Sequence, residues 1–147
     1  RAQEEQGALA AAETHAREAL AGLERLLGAD AETVWIAQSN LAMLLVTAGR
    51  ADEAEPLITA ALERARAARP AGHFLVLVLQ RNRGQCLTAL GRLDEAEPLL
   101  LESHAGLERA LGPQHEHTHK AAQALAALYT AWGRAEEAAV WRERSAP

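Results

Sequence analysis

The sequence predicts an all-α fold in which helical hairpins stack into an α-α superhelix, a solenoid, and two observations carry that prediction. First, the stretch Gly49-Arg50-Ala51-Asp52-Glu53-Ala54-Glu55-Pro56-Leu57 returns as Gly91-Arg92-Leu93-Asp94-Glu95-Ala96-Glu97-Pro98-Leu99, with a shorter echo at Gly133-Arg134-Ala135-Glu136-Glu137-Ala138. The glycines are spaced 91 − 49 = 133 − 91 = 42 residues apart, and one step back falls on Gly7, with Ala12 in the place of Ala54, Ala96 and Ala138. Second, apolar residues between these markers recur at three- and four-residue steps, the period of a helix with one buried stripe. A repeat of about 40 residues marks a unit that cannot bury its own apolar face and must stack on its neighbour.

Taken in order, Arg1 to Gln6 reads as the last turn of a helix ended by Gly7, a residue that adopts the left-handed conformation at little cost. From Ala8 the stripe Leu9, Ala12, Ala16, Leu20, Leu23 and Leu27 predicts a helix stopping at Gly28. The next helix carries Trp35, Ala37, Leu41, Ala42, Leu44 and Leu45 up to Gly49. Its partner is expected to begin at Asp52, capped by that carboxylate with Glu55 reaching back three residues on. Pro56 costs it at most one early hydrogen bond, and Leu57, Ile58, Ala61 and Leu62 continue the stripe. Pro70 ends it, because proline disfavours helical geometry in the residue before it.

The plan then repeats, with helices expected at 74–90 and 93–111. Phe74 to Leu79 alone would suit a strand, but the repeat overrules that local reading. After Gly112-Pro113 a last pair is expected at 117–132 and 135–144. The whole of 1–147 is thus one repeat domain of about three and a half units: a partial repeat at 1–28, repeats at 29–70 and 71–112, and a truncated repeat at 113–147. Arg1 in place of an initiator methionine suggests a piece of a longer array.

Composition narrows the function classes. A formal charge of −5 argues against a general nucleic-acid binder, which needs clustered Lys and Arg to neutralise phosphates. The lone Cys86 cannot close an intrachain disulfide, so the expected compartment is the cytoplasm. The longest apolar run, Phe74 to Leu79, is far short of a membrane span of ~18 residues.

Superposing the copies places small residues at three positions: Ala42, Gly84 and Ala126 in the leading helices, then Ala54, Ala96 and Ala138, and finally Ala61, Ser103 and Ser145, in the trailing ones. Antiparallel helices approach closely only where side chains are small. The set resembles the tetratricopeptide repeat family, and the spacing together with the link Leu111-Gly112-Pro113-Gln114-His115-Glu116-His117-Thr118 is similar to its kinesin-light-chain type, as found in bacterial signalling proteins. The chain departs from the family pattern in two respects. Ile58 and Leu100 replace a large aromatic, and Arg83 takes the place that Leu41 and Leu125 hold elsewhere. An arginine there either lays its methylenes on apolar surface or faces a partner.

The resemblance implies a docking module for a protein or extended peptide, with no catalysis and no cofactor, whose leading helices line a concave groove. By that alignment the groove residues are Ile36, Ser39, Asn40 and Met43; Val78, Arg81, Asn82 and Gln85; and Lys120, Gln123 and Ala127. Asn40 and Asn82, one period apart, could read a peptide backbone through their amides, or could tie down neighbouring helix ends; Ala124 breaks the ladder. The family's carboxylate clamp is matched only at Asn82 and Lys120, with Ser39, Met43 and Ala124 at its other places, so that clamp is not expected. A second function reading is a sensor region whose peptide or small effector controls an attached kinase or transcription regulator.

His115, His117 and His119, with His104 nearby, form the one cluster that suggests metal, but no carboxylate or cysteine stands at a partner spacing, and solvated histidines at a helix start are expected instead. No nucleophile elbow or phosphate loop is present, and Cys86 among apolar neighbours reads as an inert thiol. Val140 and Trp141 would mediate self-association if the last hairpin leaves them uncovered, whereas Trp132 and Trp141 packed within that hairpin is the simpler expectation.

Overall fold

The computed structural model describes residues 1–147 as seven helices: α1 Ala2–Leu27, α2 Glu32–Thr47, α3 Ala51–Ala68, α4 Phe74–Ala89, α5 Leu93–Leu111, α6 Glu116–Ala131 and α7 Ala135–Arg144. There is no strand, and Phe74 to Leu79 is helical as the repeat requires. No helix is long and apolar enough to cross a membrane. The helices group into two compact units, 1–68 and 69–147.

In the first unit α1 packs on α2 and α2 on α3. Val34, Leu41, Ala42 and Leu45 are buried on α2, and Ala54, Ile58, Ala61 and Leu62 on α3. The Trp35 indole N–H donates to the Ala29 carbonyl at 3.2 Å, fixing the link between α1 and α2. Arg50, in the turn between α2 and α3, reaches Glu13 of α1 at 2.6 Å.

In the second unit α4 pairs with α5 and α6 with α7, and α5 and α4 both touch α6. Its core joins Leu87, Ala96, Leu100, Leu125, Leu128, Tyr129 and Ala138, with Trp132 and Trp141 packed against it from the last hairpin. A smaller cluster of Leu77, Leu107 and Ala121 lies beyond. The Tyr129 hydroxyl donates to Glu97 at 2.6 Å, and Arg134 lies over the Tyr129 and Trp132 rings. Ser145, the last of the small residues, is only half-buried, whereas Ala61 and Ser103 are fully covered.

The repeated Gly-Arg marker builds the same turn three times. Gly49, Gly91 and Gly133 take φ of 79°, 78° and 74°, and the following arginine N–H donates to the carbonyl five residues back: Arg50 to Leu45, Arg92 to Leu87 and Arg134 to Tyr129. This left-handed residue and backward bond satisfy carbonyls that a helix end otherwise leaves open.

Two expectations are corrected. Gly7 does not end a helix: α1 runs through it from Ala2, and its φ is not positive. The residues after Gly7 are Ala8, Leu9 and Ala10 in place of an arginine and acidic residues, so nothing there opens a new helix, and a glycine among alanines costs only about 1 kcal/mol inside one. The trailing helix begins at Ala51, so Asp52 lies inside its first turn. In α5 and α7 the cap positions are Arg92 and Arg134, neither making a side-chain cap bond. Each marker arginine instead pairs with the glutamate three residues on: Arg50 with Glu53 at 2.5 Å, Arg92 with Glu95, and Arg134 with Glu137 at 2.6 Å. The carboxylates thereby sit in the first turn, where the helix dipole favours them.

Candidate functional site

The candidate residues divide between the two units. In the first, α2 holds Ser39 buried, Met43 half-buried and Asn40 exposed, as Ile36 is. Ser39 is covered, at 3% exposure, which its place in the repeat did not reveal.

In the second unit α4 supplies Arg81, Asn82 and Gln85, and α6 supplies Lys120 and Gln123. Arg81 and Asn82 are both buried, at 6% and 8% exposure, and they touch: the Asn82 side-chain oxygen accepts from Arg81 Nε at 3.3 Å and Nη2 at 3.2 Å. Arg81 Nη1 points to His117 on α6, 3.4 Å from its carbonyl oxygen and 3.4 Å from its Nδ1. Gln85 is half-buried on the same helix.

Lys120 and Gln123 lie elsewhere on α6. With Gln114, Glu116 and His119 they line a hollow of about 530 Å³ whose other wall is Ser145 and Pro147. Lys120 is exposed and pairs with Glu116 at 3.0 Å. Of the candidates in this unit, the fold therefore brings Arg81 and Asn82 into contact and sets Lys120 and Gln123 along one hollow.

Electrostatics single out Arg81. Burial pulls its guanidinium down to about 10, against a weaker opposing pull from Glu116. Burial first, and then the Arg81 charge, holds the His117 ring below the usual imidazole range. Sequence reasoning does not reach His117 as the contact of Arg81. The repeat carries no signal for it: one period before His117 stands Leu75 and two periods before stands Thr33, so the place is not held by one kind of side chain.

The histidines are not gathered around a metal. His115 caps α6, its Nδ1 accepting from the His117 N–H at 3.1 Å, and His73 caps α4 the same way through Leu75. His104 is buried on α5, edge-on to Trp141 with ring centroids 4.7 Å apart. No group of three His, Cys, Asp or Glu side chains is placed to hold an ion. Cys86 is fully buried, as its neighbours implied. Arg83 is half-buried, and its Nε is covered without a hydrogen-bond partner.

Two family models, both of the tetratricopeptide repeat, match the chain, one over residues 75–146 and the other over residues 4–30 and 36–74. No curated protein has a significant sequence match. Among solved structures the fold is similar to BtubC (BKLC) from P. vanneervenii, with a TM-score of 0.75 and 24% identity over 97% of this chain and 56% of that one. It is similar also to two structures of a protein assigned as a kinesin light chain from Podospora anserina, with nearly identical TPR-like repeats. A single-substitution variant of that protein gives a TM-score of 0.71 and 22% identity over 95% of this chain and 66% of that one. The other structure gives 0.68 and 23% over 99% and 69%. The chain thus spans little more than half of BtubC and about two thirds of the others. From its repeat models and its helical hairpins, this chain belongs to the tetratricopeptide repeat family.

Proposed function

We propose that the chain is a docking module, without catalysis of its own, that holds an extended segment of a protein partner along the leading helices α4 and α6 of its second unit. Repeats of this family generally mediate protein–protein interaction, which gives the class. The observation that carries the surface is the packing in the second unit: the α4 and α6 backbones approach each other directly, whereas those of α5 and α7 stay apart and meet only through side chains such as His104 and Trp141. Within this unit the leading helices are drawn together and the trailing helices spread apart, which supports the leading face as the inner one. The leading helices carry polar groups the core does not need, Gln85 half-buried on α4 and Lys120 and Gln123 exposed on α6. Amides of this kind pair with a peptide's backbone N–H and C=O.

The test is selection of binders from a random peptide library with the intact chain, followed by the triple substitution of Gln85, Lys120 and Gln123 with alanine. Affinity for the selected peptides falls about tenfold or more, roughly 1.4 kcal/mol, while helicity by circular dichroism is kept. Unchanged affinity would move the docking surface off the leading helices. Self-association at α7 is a separate proposal supported by Val140, 50% exposed beside the half-buried Trp141. Sedimentation of Val140→Lys against the parent chain decides it, since a mass that is monomeric in both removes it.

A further inference from the structure

We propose that Arg81 and His117, at the seam between α4 and α6, form a site for the phosphoryl group of a phosphorylated side chain carried by the docked segment. The proposal rests on the leading-helix reading and adds the chemistry of one residue of the partner.

The first observation is a mismatch among the arginines. Arg50 and Arg134, at the surface, each hold carboxylates, with their shortest bonds at 2.5 and 2.6 Å and their longest at 3.3 and 3.4 Å. Arg81 is only 6% exposed, yet no carboxylate pairs with it. Its partners are the side-chain oxygen of Asn82 and the carbonyl and ring of His117, all neutral and all at 3.2 to 3.4 Å. Charge-assisted bonds are normally about 2.7–2.9 Å. Neutral acceptors satisfy N–H groups but leave the charge of a desolvated cation uncompensated, an arrangement that favours capture of an anion.

The second observation is geometric. Asn82 takes the Nε–H and one Nη2–H, which fixes the plane of the guanidinium and leaves the other Nη2–H without a partner. With His117 Nδ1 accepting from Arg81, the proton of the neutral ring belongs on Nε2, on the ring edge turned away from the guanidinium, so Nδ1 is the ring atom that faces the site. The charges facing this ring are Arg81 from α4 and His115, Lys120 and Glu116 from α6 and its cap. The only acid among them, Glu116, is already taken up by Lys120 at 3.0 Å. The surroundings are therefore cationic in a chain whose formal charge is −5.

The charge count favours phosphate over carboxylate. A carboxylate brings one charge and would be matched by Arg81 alone. A phosphomonoester brings nearly two, with three acceptor oxygens; entering between the two side chains, it takes over the Arg81 Nη1–H, which frees His117 Nδ1 to take up a proton and supply the second positive charge and a second donor to the same anion. Binding written this way transfers one proton from solvent to His117 and breaks no covalent bond.

The test uses the intact chain. Inorganic phosphate is titrated at constant ionic strength while the His117 imidazole resonances are followed, and the expected result is a saturable shift with the apparent His117 pKa rising. A degenerate peptide library with a central phosphoserine is then compared with the same library carrying serine or glutamate. The phosphoserine pool is expected to bind at least tenfold tighter than either, and Arg81→Gln to erase that advantage. Absence of any His117 shift with phosphate overturns the site, and this arm needs no variant that must fold. Equal binding of the phosphoserine and glutamate pools, or an advantage that survives Arg81→Gln, also overturns it, while leaving the leading-helix reading standing. If none of the pools binds, both readings fall together.

Discussion

Gly84 on α4 lies so close to Leu100 on α5 that a β-carbon added at 84 would stand 2.5 Å from Leu100 Cδ2 and 2.6 Å from its Cγ. Leu100 is fully buried in the core of the second unit, so it cannot swing aside. Gly84→Ala therefore forces a shift in a packed region, costing about 1–3 kcal/mol, partly offset by the helix preference of alanine, roughly 1 kcal/mol. The expected net loss is up to about 2 kcal/mol by urea denaturation. In a Leu100→Ala background the same change is expected to cost nothing or to stabilise, because the opposing atoms are gone. An identical cost in both backgrounds would show that the crowding is not with Leu100.

Acid should weaken the fold through a specific set of carboxylates. Glu13, Glu53, Glu95 and Glu116 are each held below the usual carboxylate range, first by hydrogen bonds from Arg17, Arg50, Arg92 and Lys120 respectively. A depressed folded pKa contributes stability that is present above the unfolded value, about 4.3, and is lost as pH falls through the folded one. The melting temperature is expected to hold from pH 7 to about 5 on this account and to drop below about 4. Glu13→Gln should remove part of that drop in the first unit, since it takes away the carboxylate shared by Arg17 and Arg50. A variant that melts with the same acid profile as the parent would clear Glu13 of the role.

Most of the fold was legible because each repeat states its own boundaries. Gly-Arg recurs where backbone geometry demands it, and small residues recur where helices cross, so both patterns survive without knowledge of the partner helix. Arg81 and His117 were not legible as a pair. Their contact depends on how α4 meets α6, and nothing in either local sequence names the other. The burial of Ser39 was hidden for the same reason, since a position facing a groove by alignment can be covered by its neighbours. Gly7 differs in kind: the period there is right, but a marker needs its arginine and acidic followers to act as a break.

The two glycines separate that distinction experimentally. At Gly7 an added β-carbon meets nothing within 4 Å, and the residue is inside α1, so Gly7→Ala should stabilise by up to about 1 kcal/mol. At Gly91 the space is equally open, but φ is 78°, so Gly91→Ala should destabilise by about 1–2 kcal/mol through backbone strain alone. Helicity and urea midpoints of the two variants measure this directly. Destabilisation at both positions would mean that Gly7 is a turn after all.

His104 should make stability depend on pH between neutrality and mild acid. It is buried against Trp141, and burial is the main force lowering its pKa, assisted by Arg144 and opposed by Glu108. The unfolded chain takes up its proton near pH ~6.5, whereas the folded ring resists until lower pH. The unfolded state thus binds more protons across that window, so stability is complete above about 6.5 and declines as pH falls below it. His117 contributes in the same direction, its pKa also lowered first by burial. Urea midpoints of the parent chain are expected to fall from about pH 7.5 to about pH 5, with a shallower fall in His104→Leu and the remainder of the slope belonging to His117. Equal slopes in parent and variant would show that the ring beside Trp141 protonates as freely in the folded chain as in the unfolded one.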